Sequence, residues 1–225
     1  MPHPFFECRI RSLNAGYLLC FSLTMKFMNK LILVKHSLPE ILPEIPASEW
    51  HLSAEGRLRC QVLADELSGH GPDLIFSSQE PKAEETAQII AQQLVKPLFI
   101  VPGLHEHERK AVLFTNQDQF KVSVRDFFEQ PDALVFGEET AVQSLNRFSD
   151  AVDKLISQNR DQNLIVVSHG TVITLFAANN CGIEPFPFWS RLDLPSFVVL
   201  SIPDLVVLST TQTLQILPSS PGSSA

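Results

Sequence analysis

Two histidines stand at the ends of apolar, β-branched runs. LILVKHS covers Leu31 to Ser37 and carries His36, and NLIVVSHG covers Asn163 to Gly170 and carries His169. A short, continuously apolar run that ends in polar residues reads as a strand buried on both faces. Both histidines then emerge at the carboxyl ends of strands. In an open parallel sheet that edge is where ligands bind, so the two imidazoles share one rim. Either histidine alone reads more readily as a hydrogen-bonded structural residue. The pair gains weight from Lys35, Lys82 and the helix start at Gly170, which add positive potential for an anion. A cationic pocket with a histidine nucleophile suits phosphoryl transfer.

The elements that must position these residues follow from periodicity. After the proline-rich loop Pro39 to Pro46, Ser53 is placed to cap a helix carrying Leu63 and Leu67 and ending near Gly69 and Gly71. Asp73 to Ser78 reads as a second strand. Ala83, Ala87, Ile90 and Leu94 follow at helical spacing, and after Pro97 comes a short strand LFIV. Phe120, Val124, Phe127 and Phe128 mark one further helix, closed by Pro131, and Ala141, Leu145, Phe148, Val152 and Leu155 mark a longer one. A helix from Thr171 to Asn179 leaves the second histidine, and SFVVLSI with LVVLSTT reads as a hairpin at the sheet edge. The alternation predicts an α/β fold: three layers, doubly wound, a mostly parallel sheet with helices on both faces.

Length and composition fit one domain. The chain has 225 residues, 44% of them hydrophobic, enough for one substantial core. Residues 28–215 read as that domain, 1–27 as an N-terminal extension that is disordered or an artefact of start-site choice, and 216–225 as a disordered tail. Within the extension, Arg9 and Arg11 precede the apolar stretch Ala15 to Leu23, which is too short to span a bilayer. Seventeen basic against 25 acidic side chains give a net charge of −8, which opposes non-specific attraction to nucleic acid or anionic membranes. Cys8, Cys20, Cys60 and Cys181 form no CxxC pair and read as free thiols of a reducing cytoplasm. The sequence carries no signal for an oligomeric state.

At this level six segments, in order, resemble the histidine phosphatase superfamily, also called phosphoglycerate mutase-like. LILVKHS is similar to the strand that ends R-H-G in that family, and LSAEGRLRCQVLADEL to the helix that follows it. FSSQEPKAEETAQIIA resembles the S-S-x-x-x-R-A segment, GLHEHER the L-x-E segment, FGEETAVQSLNRF the G-E-S helix, and VVSHGTVI the second histidine motif. The resemblance covers Leu31 to about Ile202. It implies the phosphoglycerate mutase-like fold and a two-step hydrolysis of a small phosphorylated molecule, without metal or organic cofactor. His36 would attack phosphorus, Glu106 would protonate the leaving oxygen and later deprotonate water, and His169 would donate to the non-bridging oxygens. Glu108 competes with Glu106 for the acid role.

The departures bear on activity. Lys35 and Lys82 stand where the family has two phosphate-gripping arginines, and Ser37 replaces the glycine after the nucleophile. Lysine keeps the charge but loses the planar bidentate fork. Two readings follow: a phosphatase with a retuned pocket, or a protein that binds phospholigands without turning them over. Arg109 lies near Glu106 in sequence and reads equally as a site residue or a solvated charge, while Arg57 and Arg147 read as surface or helix-face charges. His105-Glu106-His107-Glu108 lacks a third metal ligand at recognisable spacing and is a poor metal motif. His3, His51 and His70 read as surface residues. Between Arg109 and Gly137, Phe114, Phe120, Phe127 and Phe128 suggest a helical cap over the pocket, either lining it for a partly nonpolar substrate or packing as core.

Overall fold

In the computed structural model, residues 28–110 and 116–211 are described. The expectations for 1–27, for Phe114 and for 216–225 lie outside them. Strand β1 (Asn29–Lys35) is followed by a 3-10 turn (Ala47–Glu49), α1 (Ala54–Ser68), β2 (Leu74–Ser77), α2 (Pro81–Leu94) and β3 (Leu98–Ile100). Then come α3 (Gln117–Glu129), α4 (Ala141–Gln158), β4 (Leu164–Ser168), α5 (Gly170–Cys181), the short α6 (Pro185–Trp189), β5 (Ser196–Ile202) and β6 (Val207–Thr211). The six strands lie in the order β3-β2-β4-β1-β5-β6. Four of them run parallel, while β5 pairs antiparallel with both β1 and β6. This is the α/β architecture expected, with the hairpin at one edge.

Strand periodicity builds the three layers, because alternate side chains leave opposite faces. Leu31 and Leu33 of β1, with Leu164 and Val166 of β4, join the core beneath α4 and α5, where Phe148, Val152 and Phe176 are buried. Ile32, Val34, Ile165 and Val167 face the other way, into α1 and α2. Both central strands are thus buried on both sides, which is why they carry no polar alternation. Among the described residues no helix is long and apolar enough to cross a membrane.

Helix starts are set by local capping. Ser53 accepts from the Gly56 amide, Asn116 from Gln119, and Thr140 forms a reciprocal capping box with Gln143. The start of α1 is pressed onto the loop that follows β1. A Cβ at Gly56 would lie 2.1 Å from the Leu38 carbonyl oxygen, so only glycine permits this approach. Helix α6, which periodicity did not mark, is a single turn begun by Pro185 at its first position.

Candidate active site

Adjacent parallel strands deliver the histidine pair. In the β1–β4 register Lys35 lies opposite Ser168, so the next residues, His36 and His169, leave the sheet side by side. The His36 amide donates to the Ser168 carbonyl (2.9 Å), and the two ring centroids are 5.2 Å apart. His36 Nδ1 donates to the Ser37 carbonyl (2.7 Å). A carbonyl only accepts, so the ring proton sits on Nδ1 and Nε2 keeps its lone pair. His169 is wholly buried; its Nε2 lies 2.9 Å from Ser78 Oγ, and its Nδ1 has no partner. Ser78 Oγ also accepts from the Glu80 amide (3.3 Å), which frees the hydroxyl proton for Nε2. Burial pushes the pKa of both rings well below the ordinary histidine value. For His36 the neighbouring His169 and Lys82 add to this, and for His169 Lys82 does so against the pull of Glu106. Both rings are neutral near pH 7.

The loop after β3 brings in a carboxylate. Glu106 accepts from the His107 amide (2.9 Å) and from the Thr171 amide (3.2 Å) in the first turn of α5. Burial pushes its pKa up, but Arg109, His169 and the His107 amide outweigh it and hold the carboxyl below the usual range. Glu108 turns instead toward His105 (3.3 Å), and its carboxylate is more exposed. Of the two candidates, Glu106 is the one beside His169 and the α5 start.

Both lysines are close by, and both are already engaged. Lys35 lies across the start of α5, where a Cβ at Gly170 would sit 3.2 Å from its Cε. Its Nζ donates to the Leu192 carbonyl (2.5 Å), and burial lowers its pKa to about 8 against the opposing pull of Glu106 and Asp193. Lys82 Nζ donates to the Ala47 carbonyl (2.6 Å) and pairs with the Glu80 carboxylate, both side chains being nearly inaccessible. Burial lowers the Lys82 pKa too, against Glu80.

Contacts now place three features that the sequence left open or read otherwise. Ser37, an accessory candidate by its position after His36, donates its hydroxyl to the Gly56 carbonyl (2.7 Å) and its amide to Thr86 Oγ1 (3.0 Å), tying the His36 loop to α1 and α2. Arg147 is no free helix-face charge. It pairs with Glu139 (2.5 Å) and donates to the carbonyls of Gly103, His105 and Glu106 (2.9, 2.9 and 3.2 Å), clamping the loop that carries Glu106. Glu139 also accepts from the Glu108 amide (2.9 Å). Phe127 and Phe128 of α3 pack as core with Phe136, Ala141, Leu145 and Leu175, and the His107 ring lies against Phe127 and Phe136, whereas Phe120 sits under Arg109.

Glu80 escaped the sequence reading altogether. It is buried, accepts from the Glu106 amide (2.8 Å) and lies 3.5 Å from His169 Nε2. Its position immediately before the helix-initiating Pro81 reads as an ordinary acidic helix start, and only the tertiary fold turns it inward. Arg57 stays at the surface, paired with Glu85 beside His51, and His70 packs on Phe197. Among the described residues no three of His, Cys, Asp or Glu converge in a way that would hold a metal ion.

A cavity of about 200 Å³ opens beside the histidine pair, lined among the described residues by Glu80, Lys82, Glu106, Glu108, Arg109 and Lys110, and also by His105, His107, Ser48, Gln79 and Ala47. The two catalytic candidates on the sheet edge are not in its wall, so it is a polar vestibule next to them. Among the described residues no phenylalanine lines it. Such a space suits a small polar group attached to whatever the histidines hold.

The family comparison matches residues 40–204 to the histidine phosphatase superfamily (branch 1), the match beginning just after His36. Phosphoserine phosphatase 1 of Hydrogenobacter thermophilus is 26% identical over 180 residues, covering 72% of this chain and 81% of that protein. Adenosylcobalamin/alpha-ribazole phosphatase of Escherichia coli is 24% identical over 146 residues, covering 61% and 70%. Among solved structures, phosphoserine phosphatase of Entamoeba histolytica in complex with 3-phosphoglyceric acid superposes with a TM-score of 0.66 at 20% identity, over 83% of this chain and 98% of that one. The fold is therefore that of these proteins.

Proposed function

The chain belongs to the histidine phosphatase superfamily, and on that premise we propose that it hydrolyses a small phosphomonoester through a phosphohistidine on His36. The observation that carries the proposal is the paired geometry at the sheet edge, with Nδ1–H of His36 committed to Ser37 and the Nε2 lone pair free beside His169. A neutral imidazole with a fixed tautomer is the nucleophile this chemistry needs. In the first step Glu106, ionised at rest, takes up the proton of the bound monoanionic ester and passes it to the ester oxygen, which leaves as Nε2 bonds to phosphorus. In the second, Glu106 takes a proton from water, the hydroxide displaces Nε2, and inorganic phosphate departs. His169, accepting a hydrogen bond from the Ser78 hydroxyl on Nε2, donates its Nδ1–H to a non-bridging oxygen. The α5 amide start at Gly170 adds its partial positive charge to the same region.

The polar vestibule supports a substrate whose leaving group is small and charged or hydrogen-bonding, in keeping with relatives named for phosphoserine and ribazole phosphates. The test is phosphate release from a panel of such esters by the wild type and by His36→Ala. The proposal expects turnover that falls at least about 10³-fold in the variant; equal rates in the two proteins would remove it. One observation favours a second reading, a phospholigand-binding protein without turnover: the amines of Lys35 and Lys82 are both held by protein acceptors. That reading expects inorganic phosphate to raise the melting temperature by mass action while no ester in the panel is consumed.

A further inference from the structure

We propose that Arg109 supplies the guanidinium that grips the phosphoryl group, so that the anion clamp has moved from the strand end and helix start onto the loop after β3. The inference rests on the phosphatase reading and names the residue on which its substrate affinity depends. Three observations carry it. Lys35 and Lys82 each spend a donor on a main-chain carbonyl, and Lys82 is further neutralised by the buried Glu80 carboxylate. Arg109 lines the vestibule, and its Nη1 is buried with no acceptor. Its guanidinium carbon lies 4.9 Å from the centre of the Phe120 ring, a contact that steadies the face of the fork and leaves its edge for an anion.

A buried guanidinium donor without an acceptor is costly, and among the described residues no acceptor meets it. A phosphoryl oxygen beside His169 would. The position fits, because Arg109 shares the cavity wall with Glu106 and Lys82, and its charge also bears on His169. A further consequence concerns the proton. At rest Arg109 helps keep Glu106 ionised; an arriving phosphoryl anion takes over that guanidinium and adds its own negative charge. The proton affinity of Glu106 therefore rises when an acid is needed.

The test is calorimetric titration of inorganic phosphate into the full-length wild type, Arg109→Ala, Arg109→Gln and Lys82→Met, with melting temperatures recorded for each. The expectation is a loss of phosphate affinity of about 10–100-fold in both Arg109 variants and a smaller loss in Lys82→Met. Arg109→Gln keeps length and polarity and decides the matter should the alanine variant fold poorly. Affinity within twofold of wild type in Arg109→Gln, with binding lost in His169→Ala, overturns the role of Arg109 and leaves the phosphatase reading intact. A wild type that binds no phosphate overturns both.

Discussion

Single residues decide whether the histidine pair can turn over an ester. Glu106 is held by two backbone amides and ionised at rest, so replacing it with glutamine removes the group that takes up and hands on the proton while keeping the shape. Glu106→Gln is expected to lower kcat about 10²–10⁴-fold for alkyl phosphates and much less for p-nitrophenyl phosphate, whose leaving group needs little protonation. Comparing the two substrates checks this, and an equal loss on both would argue against an acid role. Lys35 illustrates the cost of a buried charge. Its pKa is lowered to about 8, so below that pH the fold carries a desolvated cation, and the penalty fades as pH rises from 8 toward 10.5. Lys35→Met should therefore raise stability at pH 7 by on the order of 1–3 kcal/mol, as read from urea unfolding, with the gain shrinking at pH 10. His36 and His169 were legible in the sequence because two apolar runs end in them. Glu80 was not, since its partners Glu106, Lys82 and His169 reach it only through the tertiary fold.

At the scale of elements, the site is an agreement among β1, β4, the loop after β3 and α4. Leu104 anchors that loop in the core and its carbonyl accepts from Ser168 Oγ (2.7 Å), while Arg147 and Glu139 hold the following residues. Gly137, at φ +80°, lets the chain before α4 approach so closely that a Cβ would stand 2.3 Å from the Glu108 oxygen. Arg147→Ala leaves the nearly inaccessible Glu139 carboxylate unpaired and frees three loop carbonyls. The expected result is a loss of about 2–4 kcal/mol in stability and a fall in kcat larger than the rise in KM, with partial recovery in Arg147→Lys; unchanged kcat would mean that the clamp does not position Glu106. Helix and strand identities were readable from periodicity and from caps such as Ser53. The clamp was not, because an arginine on an amphipathic helix reads as solvated until the carbonyls that meet it are placed. The role of the phenylalanines in α3 was open for a similar reason: a core stripe and a pocket lining have the same spacing.

Across the whole molecule, pH couples stability to the site. The unfolded chain takes up protons on its histidines near pH 6.5, whereas burial makes His36 and His169 resist protonation in the fold. Stability is therefore full above about pH 6.5 and falls as pH drops below it, by up to about 1.4 kcal/mol per pH unit for each histidine. Glu106 and Glu139, with lowered pKa values, add a second loss as pH falls below 4.5. Melting curves from pH 8 to pH 4 check this; a flat profile between 7 and 5 would contradict buried neutral imidazoles. Activity should persist to lower pH than free imidazole would allow, because the nucleophile stays unprotonated. The central claim is tested most directly by rapid quenching of the wild type and His36→Ala with a 32P-labelled phosphomonoester, followed by mapping of the label under alkaline denaturing conditions. The account predicts an acid-labile, alkali-stable phosphate on His36 in the wild type and none in the variant, whereas turnover with no labelled protein, or equal label in His36→Ala, would contradict it.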